Sequence, residues 1–210
     1  MNKNNTRNAL QHNKTTSLVL LGLLCAIMII LSCTPLGYLN VGMLAITFNV
    51  IPVAIAAIVL GPKGGGVIGA LFGITSFLQC IGIGGSSALG VICFEINPIF
   101  AFIQRFVPRL LVGILLGFIY NFLSKKIKRQ SVVCAVIGFL AAFLNTVFFM
   151  TALVLLYGNT PELQGMIAGQ NIFVWICTFV GINAVFEMIA STLITTPIGT
   201  ALLKLKGLKS

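Results

Sequence analysis

Two arginines, Arg105 and Arg109, stand four residues apart inside an apolar stretch. That spacing puts both on one face of a helix. An arginine at the centre of a membrane helix costs about 2.5–3.5 kcal/mol on the insertion scale, so the pair points to function. Pro108 precedes Arg109 and would free a backbone carbonyl one turn earlier. The chemistry on offer is anion recognition, because a guanidinium presents forked donors that match a carboxylate.

Other polar residues stand at comparable or shallower depths in the same apolar chain: Thr47 and Asn49, then Thr75, Ser76 and Gln79, then Asn145, Asn183 and Glu187. Glu187 is one turn beyond Asn183 on the same helix face. Together they could line a polar cavity in an apolar bundle, as ligand sites usually do. The competing reading makes Arg109 and Glu187 a structural ion pair and the amides interhelical ties. Tyr38, in a connector that could cover such a cavity, is the candidate for stacking on a ligand. Tyr157 and Trp175 fit an interfacial aromatic belt.

Much chemistry is excluded. There is no Asp, the only Glu are Glu95, Glu162 and Glu187, and the single His, His12, lies in a polar N-terminal segment. No His/Asp pair, carboxylate dyad or His–carboxylate metal cluster can be built within the membrane. No P-loop is present, so the chain has no ATPase of that type. Cys25, Cys33, Cys80, Cys93, Cys134 and Cys177 are dispersed without a C-x-x-C pair, as small buried hydrophobes would be. These absences point away from an enzyme and imply no cofactor and no metal.

The elements that must position these residues follow from composition. Of 210 residues, 58% are hydrophobic and 8% charged, against roughly 25% charged in soluble domains. A membrane helix needs about 20 apolar residues, and on that measure spans are expected near 17–33, 44–60, 64–80, 98–123, 131–157 and 172–203. This predicts an all-α integral membrane bundle of six helices over 17–205, with polar tails at 1–16 and 206–210. The segment 1–16 does not read as a secretory signal, because the apolar run after it is too long and lacks a cleavage pattern.

The net charge of +10 reflects topology rather than nucleic-acid binding. With a cytoplasmic N-terminus, the inner segments hold Lys3, Arg7, Lys14, Lys63, Lys125, Lys126, Lys128, Arg129, Lys204, Lys206 and Lys209, eleven of thirteen basic residues. The outer connectors 34–43, 81–97 and 158–171 hold none. The positive-inside rule then puts both termini in the cytoplasm. By helical rise from Pro98, Arg105 lies about 10 Å and Arg109 about 16 Å below the outer surface. Arg105 is expected to snorkel outward, and Arg109 is not.

Gly61, Gly65, Gly69 and Gly73 recur every four residues, and Gly113 and Gly117 repeat the spacing in the fourth span. Such faces allow close backbone approach between helices. Gly22 and Ala26 form a further small-xxx-small pair, suited either to internal packing or to docking another membrane subunit.

The runs T-P-L-G-Y, I-T-F-N-V-I-P-V, L-G-P-K-G-G and F-G-I-T-S-F, followed by I-N-P, P-R-L-L-V-G-I-L-L-G and L-N-T-V, resemble the substrate-binding S components of energy-coupling factor (ECF) vitamin transporters. The resemblance covers roughly residues 17–205 and is nearest to the pantothenate S components. It implies a six-helix subunit of the bacterial plasma membrane, without its own ATPase, that binds a vitamin from outside. It also implies partners: a transmembrane coupling subunit and two cytoplasmic ATPase subunits. Within the resemblance, Gly22 and Ala26 match the motif that meets the coupling subunit, with Gly where alanine is common. Pro108-Arg109 and Asn145-Thr146 match pocket motifs. The substrate-binding set is then Arg109, Asn145, Asn49, Thr75, Gln79, Asn183 and Tyr38. Riboflavin or a pyridoxine-related vitamin is an alternative ligand. An autonomous ion-coupled secondary transporter is the alternative mechanism, although no inverted repeat is visible.

Overall fold

A computed structural model describes residues 3–34, 37–41, 44–84 and 87–205, with side chains from Thr15 onward except those of 38–46. The expected tail at 206–210 lies outside the described residues. Helix α1 runs Lys3–Cys33, so the segment expected as a polar tail continues the first span as helix. Leu24, Met28 and Ser32 recur every four residues and are buried, while Leu18, Val19, Leu23 and Ile30 face outward. An apolar outer face of that kind suits lipid, not water.

A short antiparallel hairpin follows, β1 (Tyr38–Val41) and β2 (Leu44–Thr47), with Tyr38 opposite Thr47 and Val41 opposite Leu44. The expected span 44–60 therefore starts too early, because its first residues satisfy their backbone groups across the hairpin. Helix α2 runs Val50–Leu78 but is broken at Gly61, whose φ of 72° and ψ of −163° lie outside any helix. That backbone region is essentially reserved for glycine. A Cβ placed on Gly65 would sit 3.2 Å from the Ala57 Cβ. In an unbroken helix, residues eight apart are separated by about 12 Å of rise. The limbs 50–60 and 62–78 thus turn back on each other at Gly61, and a 3-10 turn, Gln79–Ile81, ends the second.

The glycine repeat is spent on the α2–α4 seam. Helix α4 runs Pro98–Lys126, with Pro98 at its first turn and the Asn97 side chain accepting from the Ile99 and Phe100 N–H groups. A Cβ on Gly65 would meet the Gly113 carbonyl, one on Gly69 the Arg109 carbonyl, and one on Gly117 the Pro62 backbone. At Gly73 it would lie 2.8 Å from the Phe106 Cα. Here the two backbones touch, and no other residue leaves room for that.

Helix α5 (Gln130–Tyr157) packs between α4 and α7 (Ile172–Leu205). Two short helices occupy connectors that showed no helical signal: α3 (Ala88–Ile96), capped by Ser87, and α6 (Pro161–Ile167), capped by Thr160. Tyr157 and Trp175 are not belt residues. Tyr157 is 1% exposed, with its hydroxyl 3.0 Å from the Cys93 carbonyl and 3.2 Å from that of Asn97, and it holds the α3–α4 corner. Trp175 is buried and stacks on Phe179 at 4.8 Å.

Among the described residues, five helical stretches are long and apolar enough to cross a membrane: Thr15–Cys33, Val50–Ile81, Pro98–Lys126, Gln130–Tyr157 and Ile172–Leu205. The chain is a helical membrane protein, with one small hairpin among the described residues.

Candidate ligand-binding site

Pro108 shapes the centre of the site. Lacking an N–H, it leaves the Gln104 carbonyl without its helical donor. The Arg109 guanidinium folds back to use it: Nη1 lies 3.4 Å from the Gln104 carbonyl and 3.0 Å from that of Arg105. Arg109 is 4% exposed, and its guanidinium carbon stands 5.0 Å from the Phe72 ring centre and 4.9 Å from that of Phe149. Aromatic faces on α2 and α5 thus hold this cation in an apolar interior, a placement that contributes about 2 kcal/mol when desolvated.

Arg105 does not snorkel. It is 5% exposed, donates to the Ser76 hydroxyl at 3.4 Å and the Ser87 hydroxyl at 3.1 Å, and lies 5.2 Å from the same Phe149 ring. Local partners on α2 and at the α3 cap replaced the expected path to water. Arg105 therefore ties α4 to both elements, while Phe149 backs both guanidinium groups. Asn145, one turn along α5 from Phe149, is buried, and its Oδ1 has no partner among the described residues.

Three of the sequence-predicted residues form a separate knot around Ser32 of α1. Its hydroxyl donates to Thr75 Oγ1 at 3.1 Å and accepts from Asn49 Nδ2 at 3.3 Å, and its carbonyl accepts from Gln79 Nε2 at 3.5 Å. Thr75 also donates to the Phe72 carbonyl at 3.0 Å, so the knot touches the element carrying an Arg109 ring. Asn49 Oδ1 remains buried without a partner. These three side chains serve at least in part as ties between α1 and α2.

On α7, Asn183 and Glu187 are buried on one stripe. Glu187 Oε1 accepts a 2.7 Å hydrogen bond from the Thr47 N–H of β2. The carboxylate thereby anchors the hairpin that carries Tyr38, whose side chain lies outside the described residues. Gly22 and Ala26 are exposed on α1, and a Cβ on Gly22 would meet nothing within 4 Å. Their face is not internal packing of the described chain.

Sequence reasoning missed Ser32, Gln104, Phe72 and Phe149. Ser32 and Gln104 carried a readable signal as polar side chains in apolar spans. The two phenylalanines had none, being 2 of 16. Among the cysteines, Cys80, Cys93 and Cys134 are buried, whereas Cys33 and Cys177 are exposed. In α3, burial, only partly offset by the Arg105 charge, pushes the Cys93 thiol up to about 11, away from thiolate chemistry.

The arrangement suits binding rather than bond breaking: a buried guanidinium held between two aromatic faces, with a second buried guanidinium beside it that meets two hydroxyls. A family model described as "ECF transporter, substrate-specific component" matches residues 16–199. The chain is 31% identical over 200 residues to the pantothenate transporter PanT of Leuconostoc mesenteroides, covering 92% of this chain and 95% of that protein. It is 26% identical over 208 residues to the pantothenic acid transporter PanT of Lactococcus lactis subsp. cremoris, covering 94% and 99%. With a buried guanidinium between two aromatic rings in a helical membrane bundle and a family match that runs almost end to end, the chain belongs to the substrate-specific components of ECF transporters.

Proposed function

We propose that this chain captures pantothenate at the outer face of a bacterial plasma membrane and delivers it through an ECF coupling subunit driven by two cytoplasmic ATPases. The observation that carries the reading is Arg109, a buried guanidinium between Phe72 and Phe149. Pantothenate offers it a carboxylate, and its amide and two hydroxyls suit the surrounding side chains. The names of the two relatives support the same ligand. In this reading Arg109 anchors the carboxylate, and Asn145 and Asn183 contribute from α5 and α7. Asn49, Thr75 and Gln79 form the wall beneath the hairpin, and Tyr38 closes it. The chain itself hydrolyses no ATP.

The same reading has six membrane crossings, the two limbs of α2 counting separately, and both termini in the cytoplasm. Gly22 and Ala26 form the coupling-subunit contact, supported by the open face around them. Calorimetric titration of the detergent-purified protein tests the ligand. Pantothenate is expected to bind tightly, with riboflavin and pyridoxine giving no heat. Tight binding of either rival, with none of pantothenate, would sink the assignment.

A further inference from the structure

Gln104 is the one residue, among those described, whose two side-chain polar atoms are both buried and both without a hydrogen-bond partner. It is 0% exposed. Exchanging its amide oxygen and nitrogen changes nothing, since neither is bonded. A buried, unsatisfied carboxamide calls for an explanation, and a bound ligand is one of the few. Its position supplies the direction. Gln104 lies on the buried face of α4 with Ala101, Arg105 and Pro108. Its own carbonyl receives the Arg109 guanidinium, and it stands about 7.5 Å nearer the outer end of the helix than Arg109.

Other orphaned atoms do not compete. Ser191 and Thr195 are buried hydroxyls at the α5–α7 seam, packed against Gly138. The orphans at Asn145 and Asn49 are single acceptors. Among the described residues only Gln104 presents an unpaired donor and an unpaired acceptor on two separate atoms, side by side. The complementary ligand unit is an acceptor and a donor on neighbouring carbons, with the same reach. An α-hydroxy amide is such a unit, because its carbonyl accepts from Nε2–H while its adjacent hydroxyl donates to Oε1. Pantothenate carries this unit, and the hydroxyl-bearing carbon is its stereocentre.

We propose that Gln104 binds the α-hydroxy-amide unit of the ligand and sets selectivity for the hydroxyl at that carbon. This rests on the pantothenate reading above and adds to it a residue and a chemical group. With the carboxylate on Arg109, the ligand reaches partly round α4 toward Gln104, which lies about 140° from Arg109 on the helix, its hydroxylated end toward the outer surface.

The test is a cycle of two proteins and two ligands: wild type and Gln104→Met, each titrated with pantothenate and with the analogue lacking the α-hydroxyl. Wild type is expected to bind the deoxy analogue about 10- to 100-fold more weakly, since the Gln104 acceptor is left buried and unpaired. Gln104→Met should bind pantothenate more weakly by a similar factor and bind the two ligands within about twofold of each other. Its ligand-free melting temperature should be unchanged or raised, because an unsatisfied amide has been removed. A variant that keeps the wild-type ratio, whatever its absolute affinity, overturns the proposal, as does a wild type that does not discriminate. Should Gln104→Met fail to fold, Gln104→Leu carries the same comparison. Wild type that binds no pantothenate overturns the ligand reading itself, an outcome distinct from loss of the Gln104 effect alone.

Discussion

At the scale of single residues, the centre of the molecule is organised by a missing hydrogen. Pro108 cannot donate to the Gln104 carbonyl, and Arg109 turns back to occupy it. If Arg109 anchors a carboxylate, truncation to Ala leaves that carboxylate desolvated, at a cost of about 2–5 kcal/mol. Pantothenate affinity should then fall by roughly 30-fold to several thousand-fold. Arg109→Lys should restore only part, since Lys keeps the charge but loses the fork and the stacking plane. Calorimetry on monodisperse variants decides the matter, and near-normal affinity in Arg109→Ala would remove the residue from the site. The structural alternative gives a different pattern: with both charges removed, Arg109→Ala/Glu187→Ala would regain wild-type affinity. Glu187 has another task in any case, since it holds the Thr47 N–H of the hairpin.

At the scale of elements, α2 and α4 form the rigid frame. Their glycines face each other backbone to backbone, so the partner cannot yield as a flexible side chain would. Gly61 is limited in a different way: a Cβ there would meet nothing within 4 Å, yet its φ of 72° excludes side chains. Gly61→Ala should therefore destabilise by about 1–3 kcal/mol through the backbone alone, without changing contacts at the pocket. Thermal unfolding in detergent should show the loss, while affinity at low temperature stays near wild type. An unshifted melting temperature would mean that the turn relaxes into an ordinary conformation. The aromatic expectations failed at this scale as well. Tyr157 and Trp175 are buried because α3 and α6 cover the ends of the helices that carry them, and neither helix had enough periodic length to be foreseen.

At the scale of the whole molecule, the outward faces of α1 and α7 are broadly apolar. Leu18, Leu23, Ile182, Leu193 and Leu205 are all more than half exposed, as expected for helices bathed in lipid. The proposed orientation predicts that single cysteines at Asn159 and Glu162, in a chain free of native cysteine, react with an impermeant thiol reagent outside whole cells. A cysteine at Lys126 should not react. The reverse labelling would discard the orientation and the depth assigned to Arg109. Because α1 packs through Leu24 and Met28 and leaves Gly22 open, Leu at Gly22 or Ala26 should abolish uptake. Binding by the isolated subunit should remain nearly intact. Loss of both together would show that the pair is needed inside the fold.

How much was legible in the chain follows from range. Hydropathy and charge bias determined the membrane class and the approximate spans, because each span must satisfy its backbone within itself and cross lipid alone. The four-residue glycine repeat likewise announced a close helix contact, and the motifs announced the family. The partner across that contact, however, depends on how distant segments meet. So do the two phenylalanines around Arg109, the capture of Arg105 by Ser76 and Ser87, the Ser32 knot and the orphaned amide of Gln104. A phenylalanine in an apolar span has the same local pattern whether it faces lipid or a guanidinium. Only the packing of α2, α4 and α5 decides which, since burial and pairing are properties of neighbours far apart along the chain.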